Sequence, residues 1–572
     1  MTEFAARIEA DTAARPGGLG IVATVALLVA AGLARWFAFN GPAFPILAIG
    51  WLALFAIVAI RARSTAALLV GAFAVDLVWW LEVERWVSEI STAGYPVLCG
   101  YLALWAVAFA WLVRRFAGRA PTRRVPLWLT LPIVVVALDF LRGELVFGGY
   151  PWYEAGQAFV GWNVVAQSAD LLGARGLTIV AAIFAGAIAE PARPGSRGML
   201  ALLGSLPILV VLAIGVLAYG SWRLKQAESL PTLGRFLAIQ TALPIDNKIG
   251  WTSRRQLEDV PAFARQTLEA WESVGPPVDL IVWPETMLPG FGLDPATLGM
   301  LEQGGFFPGR FFGEVAHGIA QRAGVPLLLG SPSYVGLRED GERWAWDRHF
   351  NSVYLVPPEP ISNVEPPRYD KLVLTPFGET MPGISQWEWL EQSLLDVGAR
   401  GMSFDLDAGA APVRFEIENG ASEPVRIATP ICFEATVSWL CRRLVWADGE
   451  READLLVNAS NDGWLGRDDA ARWMHLRLAS LRAIENRTPM LRAVNTGYSA
   501  GIDSSGRIVA GLDGSAAGLG TDAGWVVAEL PRDGRRPLFA MVGDRWAWLA
   551  VVGVAAGWLS TRPRASVVPS GR

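Results

Sequence analysis

VRIATPICFE, residues 425–434, is an apolar β-type run that ends in a proline turn, a cysteine and, two residues on, a glutamate. A strand end followed by a loop is where a rigid scaffold presents reactive groups. Two other runs end in the same way. DLIVWPE (279–285) closes on Glu285, and YDKLVLTPFGE (369–379) supplies Lys371 and Glu379. Further apolar β-type runs are FLAIQ (236–240), PLLLG (326–330), NSVYLV (351–356), DLLVNAS (454–460), PMLRAVN (489–495) and GWVVAEL (524–530). Helical stretches lie between several of them, at about Gln256–Val274, Gly313–Ala323 and Asp468–Glu485. This alternation predicts a layered α/β domain over residues 234–530, long enough to bury its own core.

The three strand ends carry a consistent chemistry. A thiol is a strong nucleophile only as thiolate, so it needs a base or a nearby cation. A carboxylate can take the proton. A lysine can favour the thiolate and then hold the oxyanion of a tetrahedral intermediate. Glu285, Lys371 and Cys432 therefore form a complete acyl-transfer set without histidine. Each residue alone has a bland reading: a core thiol, a helix-capping glutamate, a solvated lysine. What favours the chemical reading is that all three adjoin apolar β runs with proline-containing turns.

Outward from this domain the composition changes. The chain of 572 residues is 52% hydrophobic and 18% charged, and residues 21–219 are mostly apolar. About 20 apolar residues cross a bilayer. Seven such runs precede the α/β domain: Leu19–Phe37, Ala43–Ile60, Ala66–Leu81, Tyr95–Val113, Val125–Phe140, Leu172–Ala189 and Ala201–Tyr219. An eighth, Leu538–Leu559, follows it. The expected division is a membrane part at 1–222, a catalytic domain at 234–530 and a last span at 538–559. Arginines mark alternate loops: Arg7 and Arg15, Arg61 and Arg63, Arg114 to Arg124, Arg193 and Arg197, then Arg562 and Arg564. Short cytoplasmic loops collect such residues, so both termini are expected inside and the α/β domain outside. Arg35 and Arg175, near outer span ends, run against the rule.

One outer loop, DFLRGELVFGGYPWYEAGQ (139–157), carries Tyr150, Trp152 and Tyr153. We read these as a belt of interface aromatics, with the lining of a lipid access site as the alternative. Residues 381–402, with Trp387, Trp389, Leu390, Leu394 and Leu395, fit either a lid or a plain amphipathic helix. Cys99 falls in an apolar run and reads as a small hydrophobe, and three cysteines make no disulfide framework. His317, His349 and His475 have no metal-ligand spacing, so no metal site is expected, and His475 reads as a surface or helix residue. A net charge of −5 argues against a nucleic-acid partner.

WPE (283–285), YDKLVLTPFGE and PICFE (430–434) resemble the Glu–Lys–Cys triad of the carbon–nitrogen hydrolase (nitrilase) superfamily, whose fold is an α-β-β-α sandwich. With spans on both sides, nearly the whole chain resembles the apolipoprotein N-acyltransferase family. GGYPW (148–152), AIQTALP (238–244), TPFGETMP (375–382), NASNDGWLG (458–466) and RAIENRTPMLRAVNTGYSAGIDSSGRI (482–508) support this. The resemblance implies Glu285 as general base, Lys371 beside the oxyanion and Cys432 as nucleophile. It implies supporting or substrate-binding roles for Glu379, Glu434 and Trp464. The family is expected to have an asparagine close after Gln240, where this chain has Ala242 nearby.

The implied reaction is acyl transfer from a membrane phospholipid, through a cysteine thioester, to the free amine of a diacylglyceryl-cysteine on an apolipoprotein. It needs no cofactor. The expected setting is the bacterial inner membrane, with the catalytic domain on the periplasmic face and the enzyme a monomer. A membrane-tethered amidase would share the triad but needs at most one anchor. A non-catalytic scaffold would have lost a triad member. A transporter would show a relay of ionisable residues within the spans, where Asp76 is the most central one.

Overall fold

The computed structural model describes residues 18–40, 44–244, 250–341, 343–359, 364–380, 406–466, 468–512, 514–515 and 518–562. The expected lid at 381–402 lies wholly outside these residues, as do Arg7, Arg15 and Arg564. The N-terminal half is helical: Ile21–Phe39, Leu47–Arg61, Thr65–Val83, Gly94–Gly118, Leu127–Phe140, Ala174–Ala189 and Met199–Ala227. Among the described residues, five helices are long and apolar enough to cross a membrane: Ile21–Phe39, Thr65–Val83, Gly94–Gly118, Ala174–Ala192 and Met199–Ala227. Leu47–Arg61, with 15 residues, is apolar but extends only about 22 Å at 1.5 Å per residue, short of the ~30 Å hydrocarbon thickness.

Met199–Ala227 leaves Leu200, Leu203, Val210, Val211, Ile214 and Leu217 exposed along its length. Such a surface suits lipid and not water. Where helices pack on each other they do so through small side chains. Ala181, Ala182, Ala185 and Ala189 are fully buried, and a Cβ on Gly186 would lie 2.5 Å from the Leu127 carbonyl oxygen.

The run expected as one helix over Leu538–Leu559 is two, Leu538–Val542 and Ala547–Ser560. Gly543 breaks it with a left-handed φ of 54°. The following Asp544 turns inward to Arg175 at 3.3 Å. Likewise the run expected from Leu172 starts as a helix only at Ala174, because Gly173, at φ 72°, ends the short helix Ala169–Leu172.

The α/β domain is two six-stranded sheets. The first runs in the order Gly524–Pro531, Thr232–Gln240, Leu280–Val282, Leu327–Val335, Arg348–Val356, Arg368–Asp370. The second runs Ile508–Ala510, Ala500–Ile502, Met490–Val494, Leu455–Ser460, Pro424–Ala428, Arg414–Glu418. Each has three parallel strands at its centre. Alternation along the strands sorts the two faces. Phe236, Val282 and Leu328 join Ile427, Leu455 and Val457 between the sheets. Leu237, Ile281 and Leu329 face the other way, onto helices Ser253–Val274 and Phe311–Ala323. Helices Ser438–Val445 and Asp469–Asn486 cover the outer face of the second sheet. This is an α-β-β-α sandwich, as the resemblance implies.

Asp469–Asn486 is also the seam with the helical half. Leu476, Ala479 and Ala483 face the sandwich, while Ala471, Met474, Leu478 and Leu481 pack into the core of the bundle. Polar groups close the seam. Arg487 donates to Asp170 Oδ2 at 2.9 and 2.7 Å and to Gln167 Oε1 at 2.6 Å, with its side chain fully buried. Tyr219 and Arg223 also bind Asp170, at 2.7 and 2.9 Å. Removing one partner of a buried pair strands the other charge, at roughly 3–5 kcal/mol. Asp170→Asn should therefore lower unfolding stability in detergent by about that amount. A denaturation midpoint equal to that of the unaltered protein would show that the pair does not hold the seam.

Candidate active site

Glu285, Lys371 and Cys432 leave their strands at one edge of the sandwich. Glu285 follows the central strand Leu280–Val282, and Cys432 follows Pro424–Ala428. The turn holding Glu285 lies against Gly330: a Cβ there would come within 2.4 Å of Thr286 N and 2.6 Å of Glu285 Cα. Only a glycine lets the two backbones approach so closely. Lys371 follows the edge strand Arg368–Asp370 and is about 1% exposed.

Lys371 Nζ lies 3.6 Å from Glu285 Oε1 and donates to both Glu379 oxygens, at 2.9 and 2.8 Å. Burial alone would lower the lysine pKa. Glu379, Glu285 and Cys432 outweigh it and hold the ammonium above the ordinary lysine range. Burial likewise acts to raise Glu379, but Lys371 and the Thr375 N–H bring it below the usual carboxylate value. The Asn351 amide links the carboxylates, donating to Glu285 Oε1 at 2.7 Å and to Glu379 Oε1 at 3.2 Å.

Cys432 opens a short 3₁₀ turn, Cys432–Thr436, at a left-handed φ of 50°. For a residue with a Cβ this backbone costs of order 1–3 kcal/mol, a strain found where surroundings over-determine it. The surroundings are polar. The Cys432 carbonyl accepts from Asn458 Nδ2 at 3.3 Å and faces His475 Nε2 at 3.2 Å. His475 Nδ1 lies 2.9 Å from Asp462 Oδ1, and Arg492 binds Asp462 Oδ2 at 3.0 Å and Asn458 Oδ1 at 2.8 Å. Burial would raise the Asp462 carboxyl, but His475 and Arg492 hold it down to about 2. The thiol is half-buried, whereas Cys99 and Cys441 are buried. Burial, then the Glu285 charge, pushes the Cys432 thiol up to about 12, against the pull of Lys371.

The helical half reaches this edge. In loop 139–157, Trp152 packs against the His475 ring with centroids 6.0 Å apart, and Phe147 packs against Phe377 at 6.2 Å. Trp152 and Tyr153 are 4% and 2% exposed. The belt expectation is thus corrected for both, since they pack against Trp79, Trp80 and His475. Tyr150 is held by its hydroxyl, which donates to Glu84 Oε1 at 2.6 Å.

Two family models match the chain: the apolipoprotein N-acyltransferase N-terminal domain over residues 31–187 and carbon-nitrogen hydrolase over 249–533. An apolipoprotein N-acyltransferase of Geobacter metallireducens is 30% identical over 73% of this chain and 71% of its own length. The chain belongs to the apolipoprotein N-acyltransferase family. A second apolipoprotein N-acyltransferase, from Caulobacter vibrioides, is 29% identical over 86% of this chain and 84% of its own. Among solved structures, an amidase from Nesterenkonia sp. is similar at 16% identity, covering 55% of this chain and 97% of its own, with a TM-score of 0.34.

Within this member of the family, four of the six residues singled out from the sequence share one hydrogen-bonded or electrostatic cluster: Glu285, Lys371, Glu379 and Cys432. Glu434 has a different placement. Its fully buried carboxylate accepts from Tyr369 Oη, from the N–H groups of Leu372 and Val373 at 2.7 and 2.9 Å, and from Ile431 N at 2.8 Å. It ties the lysine loop to the cysteine loop. Burial pushes it up to about 7, opposed by those N–H donors. Trp464 is half-buried in the turn Asp462–Leu465, two residues past the partner of His475. Asn351 and His475 were missed. Asn351 had a signal, an amide opening the apolar run NSVYLV. His475 had none beyond its place in a long helix.

A thiol raised this far is not a standing thiolate at neutral pH. Alkylation of Cys432 by iodoacetamide should be slow at pH 7 and rise about tenfold per pH unit up to at least pH 9. A rate that levels off below pH 8 would mean that Lys371 outweighs burial.

Proposed function

We propose that the protein transfers an acyl chain from a membrane phospholipid to the N-terminal α-amine of a diacylglyceryl-cysteine on apolipoproteins, through a thioester on Cys432. One observation carries the reading: a half-buried thiol on a strained turn, acted on by Glu285 and Lys371, at the edge where the apolar bundle meets the sandwich. Family membership supports it.

Glu285 takes the thiol proton as Sγ attacks the ester carbonyl. Lys371, oriented by Glu379, faces the developing oxyanion. The intermediate collapses to the thioester, and the lysophospholipid leaves with the proton from Glu285. The lipoprotein amine then attacks the thioester and loses a proton to Glu285. The thiolate leaves and is reprotonated, so the cycle closes with no cofactor. Glu434 keeps the Lys371 and Cys432 loops in register, and Trp464 lines the approach. Spans beneath the site matter because dragging acyl chains through water costs about 0.8 kcal/mol per CH₂. The setting is the bacterial inner membrane with both termini in the cytoplasm and the sandwich outside, supported by the arginine-marked loops.

Protein incubated with phospholipid should gain one hydroxylamine-sensitive acyl mass and lose it on addition of a diacylated lipopeptide with a free N-terminus. Cys432→Ala should gain none. Glu285→Gln and Lys371→Ala should acylate roughly 10²-fold more slowly or worse. Discharge to water at the same rate without lipopeptide would favour an amidase-like hydrolase instead. Reporter fusions after Tyr219 and after Thr561 should mark opposite sides of the membrane, and a common side would overturn the topology.

A further inference from the structure

The proposed chemistry makes no use of His475, yet both of its ring nitrogens are engaged and the ring is about 3% exposed. Nε2 lies 3.2 Å from the Cys432 carbonyl oxygen, and Nδ1 lies 2.9 Å from Asp462 Oδ1. A carbonyl can only accept. The Asp462 carboxylate, already bound by Arg492 and by the Ser460 hydroxyl at 2.8 Å, accepts as well. The Cys432 carbonyl can be held only by an N–H on Nε2, so that nitrogen is the donor the contact requires. Its grip falls on the peptide of the one residue whose backbone is strained to present the thiol, Cys432 at φ 50°. Its remaining face is covered from the membrane side by Trp152, whose own carbonyl is fixed by Arg142 Nη1 at 2.8 Å.

We propose that His475 is a positioning residue for Cys432. Anchored on Asp462, it holds the Cys432 carbonyl and with it the strained turn, and Trp152 makes that hold depend on the seating of loop 139–157. The thiol thereby takes its attacking position only when the membrane half is packed against the sandwich. This rests on Cys432 being the nucleophile.

The side chains available discriminate between grip and mere packing. Gln places an amide N–H near the position of Nε2 and can still donate to the Cys432 carbonyl. Asn is shorter, reaching Asp462 but not the carbonyl. Single-turnover acylation of Cys432 by phosphatidylglycerol in detergent micelles and alkylation by iodoacetamide should be followed together in the full-length protein. His475→Asn should slow both by about tenfold or more while shifting the KM for lipid by less than about twofold, since misplacement by 1 Å costs on the order of 10²-fold in rate. His475→Gln should recover to within about threefold of the unaltered protein, and Trp152→Phe should stay near it while Trp152→Ala slows acylation. Acylation and alkylation at unaltered rates in His475→Asn, or a His475→Gln variant as slow as His475→Asn, would overturn the assignment. Acylation that persists in Cys432→Ala would instead overturn the nucleophile, and the alkylation rates would still decide on His475.

Discussion

The structure depends on one helix that is wet only in its first turns, at Asp469 and Trp473. Asp469–Asn486 is covered on one side by the second sheet and on the other by the bundle. An ordinary surface helix has an apolar stripe and a polar face. Here most polar positions past the first turn are buried too and must find partners. Arg482 pairs with Glu485 at 3.0 Å, Glu485 accepts from Ala174 N at 2.8 Å, and Arg477 donates to the Phe39 carbonyl at 2.7 Å. Each of these bonds crosses to, or supports, the seam. Because the same helix carries His475 and adjoins the Cys432 turn, the packing of the two halves and the geometry of the site share one rigid element.

Much of this was legible in the sequence where the signal is local. Strand ends with proline turns located Glu285 and Cys432, because a short apolar run and its terminus are contiguous in the chain, whereas Lys371 follows the short strand Arg368–Asp370 and the apolar residues 372–374 beyond it form no strand. The long apolar runs located the helices for the same reason, and their bounds erred at Gly173 and Gly543, where a left-handed residue breaks a run that composition alone treats as continuous. What composition could not show is pairing over distance. Trp152 and Tyr153 have the amphipathic character of interface residues, and only the fold places His475 and Trp79 against them. Glu434 lies beside the cysteine in sequence, but its four donors come from Tyr369, Leu372, Val373 and Ile431, so it serves the loops more than the thiol.

Charge inside the bundle follows the same logic. Asp76 stood out as the most central ionisable residue of the spans, and Arg35 as an exception to the loop rule. They are partners: Arg35 Nη1 donates to Asp76 Oδ1 at 2.7 Å, Trp80 Nε1 donates to Oδ2 at 2.8 Å, and the guanidinium stacks 3.5 Å from the Trp79 ring. An ionisable residue is tolerated in apolar surroundings when its partner arrives from another helix. The pair lines a cavity of about 60 Å³ together with Asp139, Arg142 and Tyr153. Arg142 in turn fixes the carbonyls of Tyr150 and Trp152, so this polar layer sets the loop that touches the site.

The burial that raises the thiol has a second consequence. A standing thiolate would be reactive toward any electrophile that diffuses in, and it would need water or a cation beside it throughout the cycle. If Glu285 takes the proton, as proposed, the thiol is inert until substrate fills the site. In the proposed mechanism the same partial burial bears on the second half-reaction, since a thioester in an open site is hydrolysed whereas one shielded from water waits for an amine. Lys371 sharpens the argument. It is held charged by Glu379 and Glu285 while buried, so in the proposed mechanism the oxyanion would meet a cation already in place. Apolar helices on one side and the sandwich on the other leave Cys432 only partly exposed. On the proposed function, the packing that would admit lipid would therefore also disfavour hydrolysis.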